Sequence, residues 1–306
     1  MKMAKMAKHL LVSAMVLFVL ADILLLAIVV HPPTLGIVLS VSGRREVCGL
    51  FGSISGFNRK FEAMAADSRL AKQMSLVKKE EGGLSLWNTP DGPYWIPSDT
   101  ADVLALLLGQ QEAKIYGDIL PGEVVLDGGA HVGVYTRKAL TAGAKIVVSI
   151  EPAPDNIECL RRTFAREIAE GRVVIYPKGV WNRDDELILH TVSGNSAGDS
   201  FVINYGPGKG VKVPLTTIDK ICKELQLQRV DRIKLDIKGA EKQALQGATE
   251  VIGRYRPKLA IAAEHNPDDY KTIPALVQSL HSGYAIACGV CYARDQRLYP
   301  ETLLFN

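Results

Sequence analysis

The chain has 306 residues, of which 47% are hydrophobic and 23% charged, and a formal net charge of +3. That length allows one or two domains with a sizeable buried core. The small charge excludes a dedicated nucleic-acid binder, whose basic surface must neutralise many phosphates, so no nucleic-acid partner is expected. Five cysteines (Cys48, Cys159, Cys222, Cys288, Cys291) are an odd number in a long chain. They imply no disulfide framework, and a reducing compartment is the easier reading. Cys288 and Cys291 form a lone C-x-x-C. A structural zinc needs four ligands, so both read as ordinary strand or turn cysteines.

The N-terminus stands apart. Leu10 to Val30 is a 21-residue apolar run behind Lys2, Lys5 and Lys8, and about 20 residues span a bilayer as a helix. Asp22 inside it costs about 2.5–3.5 kcal/mol near the bilayer centre. Fifteen Leu, Ile, Val or Phe residues in the run return about 0.3–0.6 kcal/mol each, together about 4–9 kcal/mol. The sum favours insertion. A cleaved signal peptide has a shorter apolar region, about 7–15 residues, ending in small residues; this run is longer and ends VVHPP. A retained membrane anchor is expected. The three lysines favour an inside N-terminus, while Arg44 and Arg45 pull the other way.

Residues 56–83 suggest one connecting helix, with Phe57, Phe61 and Met64 on one face and Gly82-Gly83 at its end. LWNTPDGPYWIP, Leu86 to Pro97, reads as a hairpin turning at Asn88 to Gly92. From about residue 119 strands and helices alternate. The strands are expected at 123–126, 146–150, 173–176, 232–235 and 259–263, the helices at 135–142, 155–170, 218–227, 241–254 and 268–281. Such alternation argues for a parallel sheet covered on both faces. Residues 186–215 add short strands and loops, and 284–292 with 297–305 form a closing hairpin.

The first strand of this sheet runs into VVLDGGAHVG, Val124 to Gly133. Ligands of open α/β sheets sit outside the carboxyl ends of the strands. Glycines there let a ligand approach the backbone, and the next helix presents free N–H groups. A dinucleotide site would need G-x-G-x-x-G. The chain instead has Asp127, Gly129 and Gly133 in D-x-G-x-x-x-G. An acid there repels phosphate and attracts an ammonium group. Glu151 ends the second strand in IEP, where an acid can take both hydroxyls of a ribose. An ammonium and a ribose without a pyrophosphate point to S-adenosylmethionine. Two motif-like stretches carry no chemistry. Tyr205 and Lys209 form Y-x-x-x-K across Gly-Pro-Gly, which no helix accommodates, and Gly206 to Gly210 (GPGKG) lacks the Ser/Thr and helix of a phosphate loop.

Over residues 84–306 the chain resembles the FkbM-type S-adenosylmethionine-dependent methyltransferases. VVLDGGAHVGVYT resembles that family's cofactor loop, usually D-V-G-A-N-x-G, and IEPAPDNIECLRR its E-P-x-P-x-N block. VPLTTID precedes the fourth strand as in the family, and IKLDIKGAEKQALQGA resembles K-x-D-V-E-G-A-E-x-x-x-L-x-G-A. Each block is weak alone; four in order are specific. His131 stands where the family usually has Asn, and Lys238 where it usually has Glu. The second departure exchanges a negative for a positive charge beside the implied substrate.

The resemblance implies a class I methyltransferase fold: an α/β, Rossmann-like, mostly parallel seven-stranded sheet with a reversed last strand and helices on both faces, here behind an N-terminal transmembrane helix. The expected organisation is a membrane anchor over 1–33, a juxtamembrane linker and helix over 34–83, and the methyltransferase domain over 84–306. Asp127, Gly129, His131, Gly133 and Glu151 would bind the cofactor. Methyl transfer, most often to a hydroxyl, needs an aligned oxygen and removal of a proton. Asp236, Glu241, Glu264 and His265, at the ends of strands four and five, would serve it, with His265 the base and Asp236 orienting substrate or base. No metal is assigned, although Asp236, Glu264 and His265 could form an oxygen/nitrogen site of the catechol-methyltransferase kind. The acceptor would be a small molecule or a glycan or lipid-linked compound, and the domain would lie at the cytoplasmic face of the membrane. A nicotinamide oxidoreductase is disfavoured by the glycine spacing. The alternative is a scaffold that keeps the fold without catalysis, suggested by Lys238.

Overall fold

The structure, a computed structural model, describes residues 49–98, 100–192, 194–203, 210–295 and 297–306. The apolar run Leu10–Val30 and the residues Tyr205 and Lys209 lie outside them. Among the described residues no helix is long and apolar enough to cross a membrane.

The centre is a seven-stranded sheet. Its strands are β4 (Val124–Gly128), β5 (Ile146–Ile150), β6 (Val173–Tyr176), β10 (Arg232–Leu235), β11 (Lys258–Ala262), β12 (Ile286–Cys288) and β15 (Thr302–Phe305). Their order across the sheet is β12-β15-β11-β10-β4-β5-β6. Only β15 runs against its neighbours β11 and β12; the other five pair in parallel. The strands β4, β10 and β11 are buried almost throughout, as parallel strands covered on both faces must be. Helices α3 (Val134–Thr141), α4 (Pro154–Thr163), α6 (Ile218–Glu224) and α9 (Asp269–Leu280) follow the strands as the period predicts. The mixed seven-stranded α/β sheet agrees with the methyltransferase-like fold that the resemblance implies.

Several elements differ from the sequence pattern. The single helix predicted over 155–170 is two, α4 and α5 (Ala165–Ala169). Phe164 leaves the helical region between them (φ −112°, ψ 25°) and buries its ring. The helix predicted over 241–254 divides into α7 (Glu241–Gln246) and α8 (Thr249–Tyr255). Asp219 caps the second piece, accepting from the Glu250 and Val251 N–H groups at 3.0 and 2.9 Å, which satisfies free donors at a helix start. The closing hairpin is interrupted: β12 and β15 join the main sheet, while β13 (Cys291–Arg294) and β14 (Arg297–Pro300) pair separately.

Upstream, the chain is not one helix ended by Gly82-Gly83. Helix α1 (Gly49–Ala71) stops earlier, and β1 (Ser75–Lys79) pairs with β2 (Leu84–Thr89), which pairs with β3 (Gly92–Pro97). The glycine pair belongs to the β1–β2 turn. Pairing of β1 with β2 carries the chain across residue 84 without a break. Helix α2 (Ala101–Glu112) has no counterpart in the sequence pattern. Its apolar run VLALLL shows no clear period, because Leu104 and Leu108 face the core while Leu106 is exposed. A small sheet of β7 (Gly179–Val180), β9 (Gly210–Thr216) and β8 (Asp185–His190) stands beside the carboxyl ends of the central strands. Among the described residues Cys159, Cys222 and Cys291 are free and buried.

Gly133 shows how tightly the first turn is fitted. It caps α3 at φ +90°, and a Cβ there would meet the Phe164 ring at 2.2 Å and Leu160 at 2.8 Å. Gly133→Ala combines left-handed strain with overpacking and is expected to cost about 2–4 kcal/mol, read as a lowered urea midpoint at unchanged slope.

Candidate active site

Asp127 ends the apolar part of β4 and is fully buried. The chain itself supplies the ammonium that this acid attracts. Lys234 sits directly opposite on β10 in the sheet register, with its Nζ 3.1 Å from Asp127 Oδ1. The same Nζ donates to the Gly129 carbonyl at 2.8 Å and the Gly128 carbonyl at 3.2 Å. Thr136 Oγ1 donates to Asp127 Oδ2 at 2.8 Å and meets Ser149 Oγ on β5. Asp127 is therefore not on a cavity wall; it lies one layer beneath, fixing the turn above it.

That turn is anchored on three sides. The Gly129 and Ala130 N–H groups donate to the Ile150 carbonyl. Gly129 adopts φ +73°, and a Cβ there would lie 2.1 Å from the Asp236 carbonyl, so only glycine lets the β4 and β10 turns touch. His131 also has positive φ, +53°, a conformation in which Asn and His are enriched; this is why His can occupy the usual Asn position. Its N–H donates to Glu151 Oε2 at 2.8 Å. Gly133 does not line a cavity; its role is the close packing against Phe164.

Two cavities meet at the carboxyl edge of the sheet. The first is small, with a volume of about 90 Å³, below the roughly 300–1,000 Å³ of small-molecule sites. Gly129, His131, Glu151, Asn156, Asp199 and Lys234 are among its walls. Glu151 also accepts from the Ala153 N–H and Asn156 Nδ2 at 3.0 and 3.3 Å. Burial raises its pKa against those donors. Burial, with the Lys234 and Lys238 charges, lowers His131 to about 3, so its ring is neutral, and Nε2 meets Ser196 Oγ at 2.6 Å. Burial lifts Asp199 to about 7, with the charges of Glu151 and Asp155 adding to it.

The second cavity opens between α2 and the ends of β10, β11 and β15, with Gln110, Glu264, His265, Tyr292 and Glu301 among its walls. Tyr116, Asp236 and Lys238 border both cavities. Asp236 accepts from Tyr116 Oη on Oδ2 at 2.8 Å and from Lys238 Nζ on Oδ1 at 2.7 Å. Burial would raise its pKa, but Lys238, His265 and Lys234 hold it well below the usual carboxylate range. Burial likewise disfavours charge on Lys238, yet Asp236, Glu264 and Glu241 keep its pKa above the ordinary lysine value.

Glu241 lies behind this cluster rather than in the cavity. Its Oε1 accepts from the Ile237 N–H and faces His265 Nδ1, both at 2.9 Å, and its Oε2 accepts from the Gly239 N–H. The second imidazole nitrogen is engaged too: Nε2 lies 3.3 Å from Lys238 Nζ and 3.6 Å from Asp236 Oδ1. A neutral ring accepts from Lys238 there, and a protonated ring faces Asp236. In either state both nitrogens of His265 have a partner. Glu264 differs. No hydrogen bond to its carboxyl occurs among the described residues. The residue is exposed as a whole, yet loss of water around its carboxyl at the cavity wall pushes its pKa up to about 7, with Glu301 and Asp236 adding, and His265 and Lys238 opposing.

Of the nine site residues named from sequence, Gly129, His131, Glu151, Asp236, Glu264 and His265 line the two cavities, whereas Asp127, Gly133 and Glu241 support them from behind. Tyr116, Asn156, Ser196, Asp199 and Lys234 were not found from sequence. Asn156 and Lys234 stand inside quoted motif blocks, so their signal was present. Tyr116 follows the unassigned helix α2, and Ser196 and Asp199 come from a loop without pattern.

A family model described as the methyltransferase FkbM domain matches residues 127–284. The chain belongs to the FkbM methyltransferase family. Among solved structures, this FkbM-family chain is similar to methyltransferase FkbM from Methylobacillus flagellatus KT, at 17% identity and TM-score 0.46, covering 79% of this chain and 58% of that one. A putative RNA methyltransferase from Pyrococcus horikoshii aligns at 18% identity and TM-score 0.34, over 81% of this chain and 96% of that one. The M. jannaschii tRNA m1G37 methyltransferase aligns at 14% and 0.42, over 75% and 56%. The chain thus spans 58% of the length of the first of these structures. No curated protein matches it.

Family membership implies S-adenosylmethionine as the methyl donor. The first cavity fits such a ligand by its unused polar atoms: His131 Nδ1, Tyr135 Oη and Asn156 Oδ1 are buried there without hydrogen-bond partners. Buried polar groups are normally satisfied, and a nucleoside bearing hydroxyl and amino groups would satisfy them. Hydrogen bonds to a charged acceptor contribute about 1.5–3 kcal/mol. Glu151→Ala is therefore expected to weaken S-adenosylhomocysteine binding about 10- to 100-fold by titration calorimetry, whereas NAD should give no heat with either protein.

Proposed function

We propose that this chain transfers a methyl group from S-adenosylmethionine to an oxygen of a hydroxyl-bearing acceptor, a sugar, a lipid-linked glycan or a secondary metabolite. The observation that carries the reading is the common border of the two cavities at Tyr116, Asp236 and Lys238. One chamber has the polar lining of a nucleoside site, and the other has a carboxyl group without a hydrogen bond.

S-adenosylmethionine supplies an electrophilic methyl group on a sulfonium. Glu151 takes the ribose hydroxyls, and His131, Asn156 and Tyr135 hold the rest of the nucleoside. Lys238 and Asp236 position the acceptor at the border. Tyr116 stays protonated there, because burial and the Asp236 charge raise its pKa well above the ordinary phenol value. Glu264 is the group we assign to proton removal in place of His265, since its oxygens face the acceptor cavity unoccupied. A base with a pKa near the working pH is the most effective.

The anchor belongs to this proposal as well. The length of the Leu10–Val30 run and the cytoplasmic supply of S-adenosylmethionine support a catalytic domain held at the cytoplasmic face of a membrane. Protease treatment of sealed vesicles of known orientation tests this: a protected domain in right-side-out vesicles fits the cytoplasmic placement, and digestion rejects it. A mature N-terminus beyond residue 20, by mass spectrometry, would remove the anchor altogether.

Desolvation and the Glu301 and Asp236 charges lift the Glu264 pKa to about 7, so the base form appears only as pH rises through that value. Transfer of labelled methyl into fractionated host extract is expected to show kcat/KM rising through about pH 7. Glu264→Gln should lower kcat by about 10²–10⁴-fold and abolish the rise, while S-adenosylhomocysteine affinity stays unchanged. His265→Ala should keep the rise. Full activity in Glu264→Gln would exclude this base, and no labelled product from any fraction would favour the scaffold alternative.

A further inference from the structure

The cluster at the border has the layout of a carboxylate–histidine–metal triad. In such triads one imidazole nitrogen ligates the cation while the other donates to a carboxylate that fixes the ring. Here Glu241 Oε1 faces His265 Nδ1 at 2.9 Å and is itself held by the Ile237 N–H. His265 Nε2 and Asp236 Oδ1 then converge, 3.6 Å apart. The cation between them is the Lys238 ammonium, 2.7 Å from the carboxylate and 3.3 Å from the imidazole nitrogen. Asp236, Glu241 and His265 are the one group among the described residues whose ligand atoms lie close enough together to hold a metal.

We propose that Lys238 is a built-in cation: its ammonium occupies the place at which a divalent metal would otherwise bind Asp236 and His265, and so makes the site metal-independent. An ammonium carries three donors. Asp236 and His265 use two, which leaves one for an acceptor oxygen in the cavities that Lys238 borders. Its side chain reaches this place from a backbone at φ +53°, followed by Gly239 at φ +103°. A left-handed position is disfavoured for a lysine, and its retention here is explained by the ion pair it makes. The consequence for catalysis rests on the methyltransferase reading; the binding test does not.

Removing the ammonium without disturbing the backbone is straightforward, because glycine suits this φ. Lys238→Gly, with Lys238→Met as a second variant of similar chain length, is titrated with Mn²⁺ and Zn²⁺ by calorimetry and, for Mn²⁺, by loss of the free-ion electron spin resonance signal. The wild-type chain is expected to show no saturable site. At least one variant should bind with a dissociation constant at least tenfold tighter than any wild-type binding, and the gain should vanish when His265→Ala is added. Binding by the wild type as tight as by the variants would overturn the proposal. So would two variants, both folded by circular dichroism, of which neither gains a site. Calorimetry with S-adenosylhomocysteine runs alongside: absence of that binding in every protein would remove the methyltransferase reading while leaving the cation result to stand or fall alone.

Discussion

The site depends on one buried ion pair, Asp127 with Lys234, set between adjacent parallel strands. Neither charge reaches water: Asp127 is fully buried, and the lysine side chain is 5% exposed. Such a pair is tolerable only when the remaining donors and acceptors are satisfied. Most are: Lys234 donates to the Gly128 and Gly129 carbonyls and Asp127 Oδ2 takes a hydroxyl from Thr136, while Oδ1 meets Lys234 as an ion pair without a hydrogen bond. The pair thereby ties β4, β10 and α3 to the glycine turn. Removing either partner would strand a charge in the core at a cost of about 3–5 kcal/mol, and the turn would lose its clamp.

The first chamber follows from that clamp. With Gly129 held down, His131 is carried into the left-handed region and its N–H meets Glu151 at the end of the neighbouring strand. Glu151 is thus oriented by backbone before any ligand arrives, with Asn156 and Ala153 completing its support. On the other side of Gly129 the Asp236 carbonyl approaches so closely that a side chain would not fit. The ends of β4 and β10 are locked together, and the second chamber opens where β10 and β11 end.

Charge in the second chamber is arranged in pairs. Lys238 neutralises Asp236, Lys60 holds Glu301 at 2.6 Å, and Glu241 is saturated by two backbone N–H groups and the imidazole. Glu264 is left without such a partner, and desolvation together with the Glu301 and Asp236 charges lifts its pKa to about 7. The family's usual Glu at the Lys238 position would place a further negative charge beside Asp236. Lysine reverses the field at the border of the chambers, which makes this chain a distinct member rather than a plain copy of the pattern.

The sequence by itself determined the alternation of strands and helices, the position of Glu151 at a strand end, and the order of the four motif blocks. These are local or periodic properties: burial on both faces writes continuous apolar runs, and a tight turn writes glycines. Helix α2 escaped because an apolar run facing both a core and a cavity has no period, and Tyr116 escaped with it. Asp127 was legible as an acid that wants an ammonium, but which ammonium was not. Lys234 lies 107 residues away in sequence and opposite it in register, and only the pairing of β4 with β10 brings the two together. The same holds for His265, whose two nitrogens are met by Glu241 and Lys238 only in the folded chain. Residue type and spacing say what a side chain is able to do; which partner reaches it first is decided by strand order and register, and those exist only in the folded chain.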